Sequence, residues 1–479
     1  MDKVLRKITI QDQINTDYRK YALYVIQSRG IPNFYDGLTP VQRLIVEYSP
    51  TSFNKTLSVV GAVFQTGLYR HGDASLSQAI SKIARPFGCA EQILEGDGFF
   101  GSPVNPTPSA PRYTSVRISK KYKEVISEHK DLNIENEEGG FDWIHVTYPL
   151  GLSTHVVGIA VGYRSNILPR KYDEVIAYLE GDKTKKLKPY FKDFNGKISK
   201  VENASLKAAW LIEGEFSEDV STKTIKIESL SPLMRYDSFV DRIHKILGSQ
   251  ELDYKIDNRS KSEISLSIKV RCSTEQFEEI SKSIKKETQQ IVTENIVIVK
   301  DGSVVEYETI QDYLDEFSVH REEVLYKRVV RNSEYNDTEL LYQEAKLKFL
   351  IFMSQKRREN EEIIEFLKQF DKKISSRLES IVLIKLSSNE IVITKEKIEE
   401  LKKLVREFKK LIVDQLKKWT VSKKVWNSKA QHKGYKRSSL LMDAPDTHIN
   451  GIQVWNPEDA ITEVTIVDTE EETEELETN

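Results

Sequence analysis

The spacing of apolar residues predicts a long helical arm in the last part of the chain. Residues 303–433 contain neither Gly nor Pro, and apolar residues recur there at intervals of three and four: Ile398, Leu401, Val405, Phe408, Ile412 and Trp419. This spacing places them along one side of a helix. The segment beginning "SVHREEVLYKRVV" predicts a partner helix, and "KKISSRLESIVLIKLSSNEIVIT" connects the two. The pattern indicates an antiparallel pair with a small head, although a purely structural coiled coil would also explain it.

The residues before the helical arm show a different alternation of apolar and polar positions. Between residues 140 and 300, strand-like runs such as "HVVGIAVGY", "TKTIKIESL", "EISLSIKV" and "NIVIVK" are separated by polar helical stretches. Alternation with period two is typical of strands with one buried face. We therefore expect a mixed α+β domain in this part of the chain.

The first hundred residues predict three short helices. Thr39 is a suitable N-cap with Pro40 behind it, "NKTLSVVGAVFQTG" favours a second helix, and Asp73 is a suitable N-cap for a third. This order favours a helix-turn-helix or winged-helix unit, which would bring five polar residues near a duplex. They are Lys55, Arg70, His71, Ser75 and Lys82. For His71, a capping or packing role is the alternative.

The charge is unevenly distributed along the chain. Residues 457–479 carry ten of the 74 acids and none of the 71 bases, so the rest of the chain has a net charge of +7. A mildly basic body permits a polyanionic partner, and the acidic tail is typical of disorder. No run approaches the about 20 apolar residues of a membrane span, so we expect a cytoplasmic protein. Cys89 and Cys272 favour unreactive thiols over a disulfide or a zinc site.

Five ordered blocks carry a more specific pattern. They are "IPNFYDGLTPVQR", "YRHGD", "LEGDGFFGS", "APRYTSVR" and "GIAVGYRSNILP". In sequence and spacing they resemble the DNA-cleaving, gyrase A-like subunits of type IIA DNA topoisomerases. The form "GYRSNILP" is similar to the T-even-like bacteriophage members of that family, which implies a phage-encoded protein.

The resemblance implies a covalent mechanism at the Arg-Tyr pair of "APRYTSVR". In that family the tyrosine attacks a DNA phosphodiester and forms a 5′-phosphotyrosyl link, which implies Tyr113 as the nucleophile and Arg112 as the stabiliser of the charged reacting phosphate. A phenol with a pKa near 10 is a poor nucleophile but a good leaving group, which suits a reversible break. Without the flanking blocks, a packing role for Tyr113 would be the simpler interpretation.

The resemblance also implies the DNA-binding residues. Arg43, Lys55 and His71 match family positions that contact DNA, while Leu44 and Tyr69 replace a second arginine and a second histidine of the family. Ile159 matches the isoleucine that wedges between base pairs and bends DNA, with a buried strand residue as the alternative. The predicted set is completed by Ser75, Lys82 and Arg117.

Cofactors and partners follow from what the chain lacks. It contains no GxxxxGK[ST] run, and no Glu and DxD set of a TOPRIM metal site can be assigned. The resemblance therefore implies that Mg²⁺ and ATP are bound by an ATPase/TOPRIM large subunit, with no metal site in this chain. A homodimer of this chain within a heterotetramer or larger heteromer would cut both strands of double-stranded DNA, because each strand needs its own tyrosine.

The combined prediction is an α+β multidomain protein with five parts. An N-terminal arm covers residues 1–30, a winged-helix DNA-cleavage (DNA-gate) domain 31–140, and a mixed α/β tower domain 141–302. A coiled-coil arm with a small C-gate head covers 303–433, and a C-terminal segment with the disordered acidic tail covers 434–479. Only 46 residues follow Lys433, too few for the multi-blade domain with which gyrase wraps DNA. We therefore expect ATP-dependent relaxation and decatenation without supercoiling.

Two other functions remain open at this point. A helix-turn-helix regulator could use the arm for dimerisation, but it has no need for "PRYT" or "LEGDGFFGS". A tyrosine recombinase also makes a phosphotyrosyl bond, but its tyrosine normally comes late in the chain, whereas Tyr113 comes early.

Overall fold

The computed structural model of this chain describes residues 11, 14–26, 30–127, 132–133, 139–202, 208–249, 252–355, 358–382, 389–433, 448–449 and 452–453. Two compact units are present, the first formed by residues 1–317 and 430–479 and the second by residues 318–429. The predicted acidic tail and part of the predicted head, residues 383–388, lie outside the described residues. In the described part, no helix is long and apolar enough to cross a membrane.

The first unit begins with helices and a small sheet. After a π-helix, Ile14–Tyr18, come α1 (Arg19–Val25), α2 (Pro40–Tyr48), β1 (Asn54–Lys55), α3 (Thr56–Gln65), α4 (Asp73–Ala84), β2 (Leu94–Asp97), β3 (Ser115–Ile118) and α5 (Lys120–Ser127). The three strands form an antiparallel sheet in the order β1-β3-β2. All three helices predicted before residue 90 are confirmed.

Local capping explains where these helices begin. The Gln42 side chain accepts a hydrogen bond from the Thr39 backbone N–H at 3.0 Å, and Pro40 occupies the first turn of α2, as predicted. The predicted N-cap of α4 is wrong by one residue, because Gly72 is the N-cap and Asp73 is already helical. Asp73 still favours the helix, since a carboxylate in the first turn interacts well with the helix dipole.

The remainder of the first unit is mixed α and β. A 3₁₀ turn at Leu150–Ser153 precedes β4 (Val156–Ala160), β5 (Tyr163–Ile167), α6 (Tyr172–Leu179), β6 (Lys197–Lys200), β7 (Ala209–Glu213), β8 (Phe216–Asp219), β9 (Thr224–Ile227), α7 (Tyr236–Gly248), β10 (Asp253–Asn258), β11 (Leu266–Arg271), α8 (Thr274–Glu287), β12 (Gln289–Thr293), β13 (Ile296–Lys300) and β14 (Ser303–Tyr307). Strands β4–β5 and β13–β14 are hairpins, and the larger sheets have the orders β12-β7-β6 and β10-β11-β9-β8. The mixed α+β prediction is confirmed.

Two apolar cores support this unit. One cluster includes buried residues from Phe34 to Phe317, so the helices around α2–α4 and the hairpins β4–β5 and β13–β14 share it. A second cluster lies between the four-stranded sheet and helices α7 and α8. Close backbone contact also joins distant segments, because a Cβ on Gly158 would overlap the Gly30 carbonyl oxygen.

The second unit contains the predicted helical arm. Helix α9 (Ile310–Gln355) is followed by α10 (Asn360–Leu367), α11 (Lys372–Val382) and α12 (Glu390–Lys433). Gln415 on α12 donates to Glu322 on α9 at 2.5 Å, whereas Lys346 on α9 pairs with Glu390 on α12 at 3.2 Å. Partners farther along α9 therefore lie earlier along α12, which makes the long pair antiparallel. A final short hairpin, which belongs to the first unit, joins β15 (His448–Ile449) and β16 (Ile452–Gln453).

A buried ion pair joins several segments of the first unit. Arg170 and Glu294 are almost inaccessible to solvent and lie 2.7 Å apart. The Arg170 guanidinium also donates to the carbonyl oxygens of Leu187 and Leu168, each at 2.6 Å. Glu294 accepts from the Leu168 backbone N–H at 3.0 Å and from the Trp210 indole at 3.1 Å. Every oxygen of the carboxylate is thus used, as a buried charge requires.

We expect Arg170→Met to lower the free energy of unfolding by about 3–5 kcal/mol, because it leaves the Glu294 carboxylate buried without its cation. The matched control is Arg259→Met, which breaks the exposed pair of Arg259 with Asp257 and costs less than about 1 kcal/mol. Urea unfolding followed by circular dichroism measures both. Equal losses in the two variants would contradict the structural role of the buried pair.

Candidate DNA-cleavage site

Tyr113 projects from a turn directly before strand β3. Its side chain is 67% exposed. This is unusual for an aromatic residue, because aromatic side chains are normally buried in packing contacts. The backbone is nevertheless held, because the Tyr113 N–H donates to the Ala110 carbonyl oxygen at 2.9 Å. The phenol is therefore accessible while its main chain is fixed.

The neighbouring residue Thr114 is clamped to the start of α3. The Thr56 N–H donates to the Thr114 carbonyl oxygen at 3.0 Å, and the two threonine hydroxyls bond at 2.8 Å. Both threonines are buried, so water does not compete for these bonds. The clamp fixes the main chain on the C-terminal side of the tyrosine.

The glycine-rich block "LEGDGFFGS" lies against the same loop. Gly98 has a φ of +103°, and a Cβ there would lie 3.2 Å from the Tyr113 carbonyl oxygen. The Ser109 N–H donates to the Phe99 carbonyl oxygen at 2.9 Å, and the Ser102 N–H donates to that of Asn105 at 2.7 Å. A side chain at Gly98 would be strained by its backbone and crowded by this contact. The glycine permits the close approach that supports Tyr113.

Arg112 lies beside the phenol. Its guanidinium carbon is 5.1 Å from the Tyr113 ring centroid, within the range of a cation–π contact. Among the described residues, no hydrogen bond or ion pair to its exposed side chain is present. The guanidinium is thus free to bind an anion next to the Tyr113 hydroxyl.

Two other predicted residues lie on the same small sheet. Lys55 on β1 pairs with Ser115 on β3, and Ser115 is two residues after Tyr113. The Lys55 side chain is exposed. Arg117 is directly opposite Glu95 on β2 and donates to its carboxylate at 2.8 and 2.5 Å. Partial burial raises the pKa of Glu95, but hydrogen bonds from Arg117 and from the Lys120 N–H outweigh it and lower that pKa. Arg117 is therefore held by a carboxylate.

The predicted DNA-binding residues on α4 and directly before it lie at the protein surface. His71 and Ser75 are exposed, and the His71 ring lies edge-on to Tyr69 with centroids 5.5 Å apart. Much of the Lys82 side chain also reaches solvent, although burial of its ammonium and the nearby Arg85 cation lower its pKa. Because Ser75 and Lys82 are seven residues apart, they share one face of the helix.

Arg43 occupies a different environment from the other predicted cations. It is buried, and its guanidinium donates to the Asp36 carboxylate at 2.6 and 3.1 Å and to the Leu38 carbonyl oxygen at 3.2 Å. Asp36 also accepts from the backbone N–H groups of Leu38 and Ile144. The structure thus places Arg43 in an internal ion pair, and the DNA contact at this residue stays a prediction.

Ile159 lies on the separate β4–β5 hairpin. Its side chain is 72% exposed, opposite Arg164 on the partner strand. Val157, two residues earlier on the same face, is also exposed, whereas Val156 faces the core. The exposure excludes the alternative of a buried strand residue, and the wedge role itself stays a prediction.

Sequence reasoning missed the residues that hold the predicted ones in place. Thr56, Thr114 and Glu95 touch the reactive loop or its strand, yet each is a common residue in an ordinary context. Glu95 and Thr114 lie in the quoted blocks "LEGDGFFGS" and "APRYTSVR", which were the available signal for them, whereas Thr56 lies in none of the five blocks. Among the described residues, no group of three or more His, Cys, Asp or Glu side chains is placed to hold a metal ion. Burial raises the pKa of the Cys89 thiol to about 11, in agreement with an unreactive cysteine.

Comparison with solved structures identifies a similar fold. The crystal structure of the DNA-binding, cleavage and re-ligation domain of Plasmodium falciparum topoisomerase II matches with a TM-score of 0.71 at 20% sequence identity, covering 89% of this chain and 66% of that one. The α+β architecture with its long helix pair is therefore shared with that domain.

Sequence comparison gives relatives of higher identity. The DNA topoisomerase medium subunit of Enterobacteria phage T4 is 30% identical over 202 residues, which cover 40% of this chain and 46% of the relative. The DNA gyrase A protein of Spiroplasma citri is 33% identical over 189 residues, 36% of this chain and 82% of that sequence. With the DNA gyrase A protein of Buchnera aphidicola, the match covers 22% of the relative. The chain thus spans less than half the length of the phage relative.

The model of one protein family, the A subunits of DNA gyrase and topoisomerase IV, matches residues 29–427, which include the helices, the small sheet and the Arg112–Tyr113 loop described above. With this match over most of its length, the chain belongs to the gyrase A/topoisomerase IV A family of type IIA topoisomerase DNA-cleavage subunits.

Proposed function

We propose that this chain is the DNA-breaking and rejoining subunit of an ATP-dependent type II DNA topoisomerase. The observation that carries the proposal is the exposed Tyr113 phenol, placed next to a free Arg112 guanidinium on a loop that is otherwise rigid. A residue used for packing would be buried, and a flexible loop would not need the threonine clamp.

The proposed reaction exchanges one phosphate ester for another. The Tyr113 oxygen attacks a backbone phosphorus and gives up its proton to a base, and the 3′ oxygen of the broken strand leaves and is protonated. The product is a 5′-phosphotyrosyl link, and the reverse attack by the 3′ hydroxyl rejoins the strand. Because the phenolate is a good leaving group, the energy of the phosphodiester is kept in the link. Arg112 stabilises the extra negative charge on the reacting phosphate.

The remaining parts of the reaction are assigned to a partner. We propose that an ATPase/TOPRIM large subunit binds Mg²⁺ and ATP, and that two copies of each chain form the active complex. Family membership supports this assignment. A twofold assembly places one Tyr113 against each strand of the duplex.

The DNA surface is proposed to include the exposed residues of the first unit. Lys55, His71, Ser75 and Lys82 would contact the backbone from the winged-helix domain of residues 31–140, and Ile159 would wedge into the duplex from the tower domain of residues 141–302. Arg43 and Arg117, each paired with a carboxylate, would contact DNA only by exchanging that partner for a phosphate. The arm and C-gate, residues 303–433, would hold the two copies together; the parts at residues 1–30 and 434–479 stay predictions.

The reaction outcome is proposed to be relaxation and decatenation without supercoiling. Residues 457–479 support this part of the proposal, because a segment with ten acids and no Lys or Arg would repel a wrapped duplex.

We expect Tyr113→Phe to abolish the covalent DNA link, because it removes only the attacking hydroxyl. Since the ring is exposed, the free energy of unfolding changes by less than about 0.5 kcal/mol. The assay incubates the chain with its partner, Mg²⁺ and plasmid, adds detergent, and measures protein attached to linear DNA. Tyr335→Phe, another exposed tyrosine, is the control and keeps full cleavage. Retained attachment in Tyr113→Phe would remove the assignment.

For Ile159→Ala, we expect weaker bending of bound DNA with little change in salt-sensitive affinity, because the wedge unstacks a base step while cations supply most of the affinity. Energy transfer between dyes at the two DNA ends measures the bend. Val157→Ala, on the same exposed strand face, is the matched control. Identical bending by the wild type and Ile159→Ala would refute the wedge.

We expect no negatively supercoiled product when relaxed plasmid is incubated with ATP and both kinds of chain, whereas supercoiled plasmid is relaxed and catenated circles are separated. Gel electrophoresis of the plasmid resolves these products. Accumulation of a fast-migrating, negatively supercoiled band would show that the complex wraps DNA and that the relaxing assignment is wrong.

A further inference from the structure

A lysine-rich cleft of about 370 Å³ lies between the start of α6 and the loop that follows that helix. Its lining includes four lysines, Lys171, Lys185, Lys186 and Lys188, one carboxylate, Glu174, and the ring of Tyr190. None of these residues belongs to the cleavage site described above. An excess of like charges around one cleft is unfavourable unless an anion compensates it.

The loop that carries the lysines is rigidly held. Its main chain is bound at the Leu187 carbonyl by buried Arg170, at the Lys186 carbonyl by the Gln311 side chain at 2.9 Å, and at the Tyr190 N–H by the Pro169 carbonyl at 2.9 Å. Leu187 is buried, whereas Lys186 and Lys188 on either side of it are exposed. Leu187 has a φ of +48°, so the segment is not an extended strand at this point, and both lysines reach solvent from a main chain that is held in place.

The lysines of this region differ in whether they have a partner. Lys183 pairs with Asp315 at 2.9 Å and Lys185 with Asp182 at 3.6 Å, so their charges are compensated within the chain. For Lys186 and Lys188, no side-chain hydrogen bond or carboxylate partner is present in the part of the chain that the structure describes. The cleft thus has uncompensated positive charge on a rigid frame.

The chemistry of the cleft indicates which anion it takes. Lysine ammonium groups are compact point charges without the fork of arginine, and they bind phosphate without fixing its orientation. The first turn of α6 is already compensated by Asp173 and Glu174, so the helix N-terminus is not itself an anion site. A cluster of cations of this kind suits the repeated phosphates of a nucleic acid backbone.

The cleft is also close enough to Tyr113 to share one duplex with it. Lys121 lies eight residues after Tyr113, at most about 29 Å along an extended chain, and its ammonium is 3.7 Å from the Asp173 carboxylate at the start of α6. Allowing for the side chains of Tyr113, Lys121 and Asp173, the cleft lies within about 55 Å of the Tyr113 phenol. A duplex rises about 3.4 Å per base pair, so about 16 base pairs cover this distance.

We propose that this cleft binds the phosphate backbone of the duplex flanking the cleaved site, as a second contact that Lys186 and Lys188 make to the same DNA. The proposal rests on the proposed function, because it takes DNA as the substrate. The cleft contact adds affinity for DNA without sequence preference, since phosphate contacts position a duplex and carry no base information.

The test compares duplexes of two lengths. One extends about 6 base pairs and the other about 20 base pairs to each side of the cleaved position, and binding is measured by fluorescence anisotropy over a range of salt concentrations. For Lys186→Ala/Lys188→Ala, we expect an affinity for the long duplex at least about tenfold lower than that of the wild type at 0.1 M salt. The salt dependence becomes shallower by about two units of slope, while binding to the short duplex is unchanged.

The matched control is Lys226→Ala/Lys269→Ala, which removes the same charge from exposed positions on the four-stranded sheet of the same unit. It should retain wild-type affinity for both duplexes. Equal affinity of the cleft variant and the wild type for the long duplex, or equal losses on both duplexes, would overturn the proposal. If the cleft variant lost affinity only for inorganic tripolyphosphate, measured by calorimetry, and not for DNA, the result would also overturn the proposal and assign the cleft to a small polyphosphate.

A separate measurement distinguishes this proposal from the proposed function. Covalent attachment to the short duplex, with Mg²⁺ and the large partner chain present, tests Tyr113 without involving the cleft. If the wild type forms no attachment, the cleavage assignment fails. If attachment forms but the length dependence is absent, only the cleft assignment fails.

Discussion

The buried pair of Arg170 and Glu294 joins segments that are far apart in the sequence. Through their hydrogen bonds, the end of β5, the loop after α6 and the sheet that contains Trp210 depend on one another for the satisfaction of two buried charges. Removal of either partner leaves an unpaired charge in the interior, which costs more than the pair itself contributes. The position of the lysine cleft is therefore set from inside the protein, by groups that never reach its surface.

The same division between a fixed interior and a free exterior applies to the reactive loop. The threonine clamp and Gly98 fix the main chain around Tyr113, and nothing among the described residues covers the phenol. Preorganisation of this kind lowers the barrier of a reaction because the nucleophile does not have to be ordered when the substrate binds. Arg43 and Arg117 differ, since each already has a carboxylate partner.

Local features could be predicted from the sequence, and long-range partners could not. The Thr39 and Pro40 start of α2 and the apolar stripe of α12 depend on residues within a few positions, and the structure confirms both. The pairing of Arg117 with Glu95 depends on the register of β2 against β3, 22 residues away in sequence. The exposure of Ile159 could not be predicted from the sequence either. Strand β4 has apolar residues on both of its faces, so their alternation does not indicate which face is buried.

The contact between Glu322 and Gln415 in the helical arm has a consequence for how such a protein can change over evolutionary time. A part-buried polar pair between the two helices fixes which turn of one helix lies opposite which turn of the other. A deletion in α9 alone would rotate and shift the residues beyond it, so that each apolar stripe would meet the wrong neighbours. Lineages with longer or shorter arms are therefore expected to have gained or lost residues in both helices together, in steps close to whole heptads.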